Sequence, residues 1–226
     1  FHEDDLLDCN WEPDVTFSIP KDFRSGVYAL RCRSSTGEHH IPFFVRPKRG
    51  TAGEKVALLM PTATYLMYGN QHANFREPLN EMMRGGLIEL QPSDLYLNDH
   101  PELGLSSYDT HYDGSGVFYV TRHRPILNLR PMTRLWNFNI DMLIVDWLEA
   151  RGTGFDVITD EDLHHEGFDL LKHYQVVITG SHPEYTSLPM MEGLLKYRDN
   201  GGRIMYLGGN GFYWRISFHK KIPGVI

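Results

Sequence analysis

Side chains of the kinds that bind hard metal ions follow three apolar segments of the sequence. His182 and Glu184 in "SHPEY" come directly after "VVITG", and Asn210 follows "RIMYLGG". Tyr65 and Tyr68 follow a third such segment, in "PTATYLMYGN". Ligands of open α/β sheets collect beyond the carboxyl ends of the strands, so we expect these side chains to lie at one edge of a sheet. Their phenol, carboxyl and amide groups predict an oxygen-rich site.

An irregular stretch between the first and second of the predicted strands adds further groups of the same kind. Residues 85–135 lack a clear helical or strand periodicity, and long irregular insertions in compact domains are often functional. The aromatic content of "SSYDTHYDGSGVFYVTRHRP" indicates that the stretch is ordered. Its candidate site residues are Tyr108, Asp109, His111, Tyr112 and Asp113.

Glu184 occupies a position where related folds place a nucleophile. After the corresponding strand, class I glutamine amidotransferase-like folds carry a cysteine and α/β-hydrolases carry a serine. A carboxylate is a poor acyl acceptor but a good ligand for a hard cation, which favours a metal site. A second interpretation is that Glu184 only complements the dipole of the helix predicted in "TSLPMMEG". The residues alone leave both interpretations open.

Other motifs and the overall composition narrow the range of functions. The two cysteines, Cys9 and Cys32, lie outside the segment expected to carry the chemistry, which excludes thiol catalysis and Cys-rich zinc sites. The "GGNG" segment lacks the GxGxxG order of a dinucleotide site. The formal charge of -7 comes without a basic cluster, so nucleic acid is not an expected partner. No apolar run of roughly 18 residues and no signal-peptide pattern occurs, which predicts a cytoplasmic protein without membrane contact.

The order of the predicted elements defines the fold class. Short apolar strands in 55–61, 155–163, 174–180 and 202–209 alternate with helices predicted over 136–151, 160–172 and 188–200. This alternation is typical of a doubly wound, mostly parallel α/β sheet, here resembling class I glutamine amidotransferase-like folds. We expect residues 51–226 to form the α/β catalytic domain, incomplete at its C-terminal end. Residues 1–50 are expected to be the end of a β-sandwich with a linker, with antiparallel strands in "VTFSIP" (residues 15–20), "SGVYALRCRSS" and "HIPFFVRP". The chain opens without Met, and we interpret it as a fragment of a longer polypeptide.

The helix predicted over 136–151 has a distinct apolar face that we expect to pack on the sheet. Helical spacing brings its large apolar side chains to one side. These side chains are Ile140, Leu143, Ile144, Trp147 and Leu148.

Three segments together resemble the large (β) subunit of the N,N-dimethylformamidases. They are "PTATYLMYGN", "SSYDTHYDGSGVFYVTRHRPILNLRP" and "ITGSHPEYTS", and the resemblance extends from about Val15 onward. It implies a mononuclear ferric iron held by two tyrosinates and one glutamate. It also implies hydrolysis of N,N-dimethylformamide to formate and dimethylamine, and assembly with a small (α) subunit and further large subunits.

The resemblance assigns roles to individual residues. Glu184 matches the carboxylate ligand, and Tyr108 matches one tyrosinate. The other is Tyr68 or Tyr65, and we prefer Tyr68 because the family keeps a tyrosine followed closely by asparagine, as in "YGN". His182 and Asn210 match groups near the substrate.

In the mechanism that the resemblance implies, iron would supply Lewis acidity toward the amide carbonyl and toward the water that becomes the nucleophile. His182 would orient the water or move a proton, and Asn210 would position the amide. An apolar pocket for the substrate would be lined by the aromatic side chains of Phe212, Tyr213 and Trp214.

Two further functions are consistent with the sequence. One is an amidotransferase-like hydrolase that acts on another small amide without iron. The other is a non-catalytic interaction subunit, in which the α/β domain is a scaffold. The metal content of the protein separates the first of these from the iron enzyme.

Overall fold

The structure is a computed structural model that describes residues 2, 5–71, 91–131 and 137–226. The chain forms two compact units, each built from separate segments. The first unit comprises Phe1–Pro13, Tyr65–Leu129 and Phe218–Ile226, and the second comprises Asp14–Thr64 and Arg130–Ser217. The strands are β1 (Gly26–Arg33), β2 (Glu38–Val45), β3 (Val56–Met60), β4 (Asp156–Thr159), β5 (Val176–Thr179), β6 (Tyr185–Ser187), β7 (Arg203–Met205) and β8 (Trp214–Ile216). The α-helices are α1 (Thr62–Met67), α2 (Pro92–Asp99), α3 (Phe138–Ala150), α4 (Asp160–Glu166), α5 (Phe168–Leu171) and α6 (Leu188–Asp199).

A parallel sheet of four strands, in the order β4-β3-β5-β7, forms the centre of the second unit. Leu58 and Leu59 of β3 and Val177 of β5 are almost completely buried. Continuous apolar runs are typical of parallel strands that are covered on both faces, which is why these short segments form the sheet. The mixed α/β fold with a parallel sheet, predicted from the sequence, is confirmed.

The direction in which successive strands are added to the sheet reverses between β3 and β5, which makes this the topological switch point of the sheet. From β3 the chain continues to β4 on one side, whereas β5 pairs with β3 on the other side. In open α/β sheets, the crevice for ligands lies outside the carboxyl ends of the strands at such a reversal. The segments after Met60 and after Thr179 are therefore the ones that the fold brings to this position.

Helices α4 and α6 begin at residues with typical capping chemistry. Thr159 precedes α4, and its hydroxyl accepts a hydrogen bond from the Asp162 backbone N–H at 3.3 Å. The Asp162 carboxylate in turn accepts the Thr159 backbone N–H at 3.1 Å, which completes a capping box. Ser187 precedes α6 in the same way, and Pro189 lies in the first turn of that helix.

The apolar face predicted for α3 was wrong in part. Leu148 is buried as expected, but Leu143 and Trp147 are exposed. The buried side of the helix instead contains Phe138 and Asp141, which means that the helix is turned about its axis relative to the prediction. The prediction ranked the side chains of the helix by hydrophobicity alone, which assigns the large apolar ones to the buried face. A carboxyl can also lie on the buried face when it accepts a hydrogen bond there. The predicted start at Trp136 lies outside the described residues.

An antiparallel hairpin of β1 and β2 is attached to the edge of the sheet at β4. Ser25 Oγ accepts the Val157 backbone N–H at 2.7 Å. Arg46, just after β2, donates to the carboxylates of Asp162 and Glu166, each at 2.5 Å. Residues 15–20, expected to be a strand, are not one, and Phe17 contacts the rings of neighbouring aromatic residues instead. The hairpin's place in a larger β-sandwich stays a prediction.

The described part of the first unit consists mainly of loops around a small apolar core. Its buried side chains include Leu97, Leu103, Val120 and Val225. Val120 and Ile226 exchange backbone hydrogen bonds of 2.9 and 3.0 Å, which attach the last residues of the sequence to this core. The described part of the irregular stretch, residues 91–131, is thus packed, while 85–90 and 132–135 lie outside the described residues. No helix among those described is both long and apolar enough to cross a bilayer.

Candidate active site

The turn that carries the candidate site residues, residues 180–184, follows β5 directly. The Gly180 N–H donates to the Leu59 carbonyl at 3.1 Å and so extends the pairing with β3. A Cβ atom on Gly180 would lie 2.5 Å from Pro61 Cδ and 2.9 Å from Asp141 Oδ2. Only glycine fits between these groups, and its presence lets the turn approach the start of α1.

Hydrogen bonds from three surrounding segments fix the backbone of this turn. Asp141 Oδ1 accepts the Ser181 N–H at 2.6 Å, and the Ser181 carbonyl accepts the Gly209 N–H at 2.8 Å. The hydroxyl of Thr64 donates to the His182 carbonyl at 2.8 Å and lies 3.2 Å from the Glu184 nitrogen, whose N–H it accepts. The turn is thus held from α3, from α1 and from the loop after β7.

The Glu184 side chain points into the protein, and its residue is only 3% exposed. The Asn210 side-chain amide donates to Glu184 Oε1 over 3.4 Å, a long contact for a hydrogen bond. Strand β6 begins at Tyr185 and helix α6 only at Leu188, with Ser187 as its N-cap. Glu184 therefore lies outside the first turn of the helix, and the interpretation of its carboxylate as a partner of the helix dipole is wrong.

The glycines of "GGNG" allow the loop after β7 to approach the turn. A Cβ on Gly208 would lie 2.7 Å from the Ser181 carbonyl oxygen, and one on Gly209 would lie 2.7 Å from His182 Cε1. The half-buried His182 imidazole thus lies directly beside Gly209. Asn210 is exposed at the end of this approach. The motif serves close packing of backbone against the turn.

Two of the candidate tyrosines are adjacent in the first unit. The rings of Tyr68 and Tyr108 are stacked, with centroids 4.2 Å apart and planes inclined by 20°. The turn before Tyr108 is attached to the end of α1, because both the N–H and the hydroxyl of Ser107 donate to the Met67 carbonyl. Tyr65 is buried at 3% exposure, whereas Tyr68 is half-buried and Tyr108 is 40% exposed.

The "YGN" segment owes its shape to its asparagine. Asn70 has a left-handed backbone with φ of 59°, a conformation that asparagine adopts more readily than most residues. Its completely buried side chain donates to the Pro125 carbonyl at 2.7 Å and accepts the Leu127 N–H at 2.9 Å. Asn128 in turn donates to the Tyr68 carbonyl at 2.9 Å. These contacts fix the backbone that carries Tyr68.

The other polar residues of the irregular stretch have roles within the first unit. Asp109 accepts the Ser106 N–H at 2.9 Å and closes the turn around Tyr108. His111 contacts the carboxyl of Asp5 at 2.6 Å. Hydrogen bonds from Ser115, followed by one from His2, hold the pKa of Asp113 well below its usual range. Tyr112 is fully exposed.

Three residues near the carboxyl ends of β3, β4 and β5 were not identified from the sequence. Thr64 and Asp141 hold the turn, and Asp160 accepts the Ala63 N–H of α1 at 2.9 Å. Burial raises the pKa of Asp160 to about 8, with the negative charges of Asp141 and Asp162 adding to the shift and the Ala63 hydrogen bond opposing it. A polar residue within an apolar helical pattern, as at Asp141, is the one signal that the sequence offers.

The structure thus groups the candidate residues into two sets. His182, Glu184 and Asn210 meet in the second unit, and Tyr68 stacks on Tyr108 in the first. Among the described residues, no cluster of three or more His, Cys, Asp or Glu side chains is arranged to hold a metal ion. A ligand set of two tyrosine phenols and one glutamate, as the resemblance implies, contains only one residue of these four types.

Comparison with known proteins agrees with the resemblance in the sequence. A family model described as "N,N-dimethylformamidase beta subunit-like, C-terminal" matches residues 1–225. The chain is 41% identical to the N,N-dimethylformamidase beta subunit of Paracoccus aminophilus and 40% identical to that of an Alcaligenes species, in each case over 232 aligned positions that cover the whole chain. The chain spans 30% of the length of each of these relatives. On the strength of the family match over nearly every residue, this chain belongs to the N,N-dimethylformamidase beta subunit-like family.

Proposed function

We propose that this chain carries the hydrolytic site of an iron-dependent amidase that cleaves N,N-dimethylformamide to formate and dimethylamine. The names of the two relatives and the family match over residues 1–225 support the substrate class. The observation that carries the proposal is the buried carboxyl of Glu184, which lies in a turn at the topological switch point of the sheet, close to His182. Perturbed or buried polar groups at such a position are typical of an active site.

The chemistry of the proposed ligands, Tyr68, Tyr108 and Glu184, suits ferric iron. Phenolates and carboxylates are hard oxygen donors, which a trivalent cation prefers. A carboxylate buried as deeply as that of Glu184 also needs a compensating positive charge or strong hydrogen bonds. The stacking of Tyr68 on Tyr108 supports the choice of Tyr68 over the buried Tyr65. When bound, iron would supply Lewis acidity toward a carbonyl oxygen and toward water.

The chain's own side chains would bind and orient the substrate and transfer protons. A tertiary formamide has no N–H group, so its carbonyl oxygen is the polar group available for recognition. Imidazole exchanges protons near neutral pH, and His182 would take a proton from the attacking water and pass one to the leaving amine. Asn210, which already donates to Glu184, would keep the carboxylate oriented. Phe212 and its neighbours would contact the methyl groups.

We further propose that the protein resembles class I glutamine amidotransferase-like folds and acts in the cytoplasm. The parallel sheet and the site after β5 support the first point. The relatives' designation as a beta subunit supports assembly with a small α subunit and with further large subunits. Sedimentation of the complete purified protein tests the assembly, and an active lone large subunit would contradict it.

Iron analysis and substrate turnover of the complete protein test the metal and the carboxylate ligand. We expect close to stoichiometric iron and release of formate from N,N-dimethylformamide. Glu184→Gln keeps the size of the side chain but removes one anionic ligand, so iron content and turnover should both fall strongly. Glu192→Gln, on the exposed side of α6, is the matched control and should change neither. Equal iron content in both variants would contradict the assignment.

The visible spectrum tests the tyrosine ligands. Phenolate bound to ferric iron has a charge-transfer band in the visible region, and a site of carboxylates and imidazoles does not. We expect Tyr108→Phe and Tyr68→Phe each to shift or remove this band, and Tyr65→Phe to leave it in place. A band lost only in Tyr65→Phe would exchange the roles of Tyr65 and Tyr68. A spectrum unchanged in all three variants would refute phenolate ligation.

A further inference from the structure

We propose that Thr64 is a positioning residue, whose hydroxyl sets the turn that presents His182 and Glu184 to the substrate. The proposal rests on the proposed function for what these two side chains do. The part of the proposal that concerns how the turn is held rests on the structure alone. Thr64 is the third residue of α1 and is completely buried.

One hydroxyl group satisfies two backbone groups on either side of Pro183. Thr64 Oγ1 donates to the His182 carbonyl at 2.8 Å and accepts the Glu184 N–H at 3.2 Å. Proline has no N–H group, so Pro183 donates nothing that would close the turn by itself. The Thr64 hydroxyl takes the place of a backbone hydrogen bond within the turn, and it links the segment after β3 to the segment after β5.

Burial makes this hydroxyl difficult to replace. Thr64 has no exposed surface, and its contact with the Glu184 N–H is buried as well, so bulk water does not reach that amide. Without the hydroxyl, the part-buried His182 carbonyl and the buried Glu184 N–H would both lose a hydrogen bond, and the loss is costly for the buried amide. The turn would then relax toward other partners. A small displacement of catalytic groups affects the chemical step more than substrate binding.

The comparison of Thr64→Ser with Thr64→Ala isolates the hydroxyl, because both variants remove the same methyl group. In the complete protein, we expect Thr64→Ala to lower kcat for N,N-dimethylformamide by about ten- to a hundredfold with a much smaller change in KM. Thr64→Ser should stay within about threefold of the wild-type kcat. Thr62→Val, on the same helix but half-buried and without a hydrogen bond to the turn, is the control and should keep wild-type values.

Hydrogen exchange of the peptide 178–187 gives a readout that does not depend on activity. We expect the Glu184 amide to exchange at least about tenfold faster in Thr64→Ala than in Thr64→Ser. Equal exchange in these two variants would overturn the proposal, whatever their activities. Faster exchange in Thr64→Ala with a kcat equal to that of Thr64→Ser would also overturn it, since the turn would then not control the chemistry. If the wild-type protein hydrolyses no amide but the exchange rates differ as expected, the proposed function is wrong and the role of Thr64 in holding the turn stands.

Discussion

Replacement of Asp160 by asparagine should make the protein less sensitive to alkaline pH. The Asp160 carboxyl is 2% exposed and accepts the Ala63 N–H at 2.9 Å. Its pKa is raised from 3.8 to about 8, mainly by burial, with added repulsion from Asp141 of α3 and Asp162 of α4. The folded protein therefore holds a proton at Asp160 that the unfolded chain releases above about pH 4.

The sign of the effect follows from this difference in bound protons. Between pH 4 and pH 8 the folded state binds more protons than the unfolded state, so the free energy of unfolding falls as the pH rises. One site contributes a slope of about 1.4 kcal/mol per pH unit, which amounts to roughly 4 kcal/mol between pH 5 and pH 8. Above the folded pKa of about 8 the contribution is constant. Asparagine keeps an acceptor for the Ala63 N–H but never ionises.

Thermal or denaturant unfolding of both proteins across this pH range measures the difference. We expect the stability of Asp160→Asn relative to the wild type to increase steadily from pH 5 to pH 8 and then to level off. Asp146→Asn, an exposed substitution on α3, is the control for the loss of a carboxyl group outside this buried site. If Asp160→Asn and the wild type give parallel curves, then Asp160 is ionised in the folded protein and the reasoning from burial is wrong.

Two other substitutions test contacts of the second unit. Gly209→Ala should displace the His182 ring, because the new Cβ would lie 2.7 Å from His182 Cε1. We expect it to lower amide turnover without a large change in Tm. Gly37→Ala, with open space around its Cβ, is the control and should leave turnover unchanged. Arg46→Met should reduce the free energy of unfolding near pH 7 by about 2 kcal/mol, because it removes charge-assisted hydrogen bonds. That loss should shrink in acid, since the pKa of Glu166 is lowered chiefly by its hydrogen bond from Arg46; denaturant unfolding at pH 7 and pH 4 checks this, and an equal loss at both would contradict it.

The strands of the sheet were predictable because their burial leaves a direct signal in the sequence. Apolar runs such as "VALLM" and "VVIT" are what parallel strands covered on both faces require. Capping residues such as Thr159 and Ser187 also mark the helix starts. By contrast, the neighbours of each strand depend on the path of the whole chain. The adjacency of β3 and β5, which brings Thr64 to the turn at Glu184, has no local signature.

Candidate site residues were predictable where chemistry and position coincided. Glu184 and His182 follow a strand, and both lie in the turn that the structure places beside β3. Thr64 has the same residue type as Thr62 two positions earlier, and nothing in "PTATY" separates the residue that holds the turn from the one that does not. The prediction of which face of α3 is buried failed for a related reason, because hydrophobicity alone ranks Leu143 above Asp141 as a buried residue.

The two buried carboxyl groups near the turn explain why such polar residues are tolerated in an apolar interior. Backbone N–H groups just after a strand and at the start of a helix have no partner within their own element. Asp141 accepts such a group from Ser181, and Asp160 accepts one from Ala63. Each carboxyl thus replaces a missing backbone hydrogen bond, and the raised pKa of Asp160 means that at neutral pH the pair need not contain two negative charges. Thr64 completes the same arrangement with a neutral group, so side chains from α1 and α3 hold the turn together with backbone hydrogen bonds that the Ser181 and Glu184 carbonyls accept from the segment after β7.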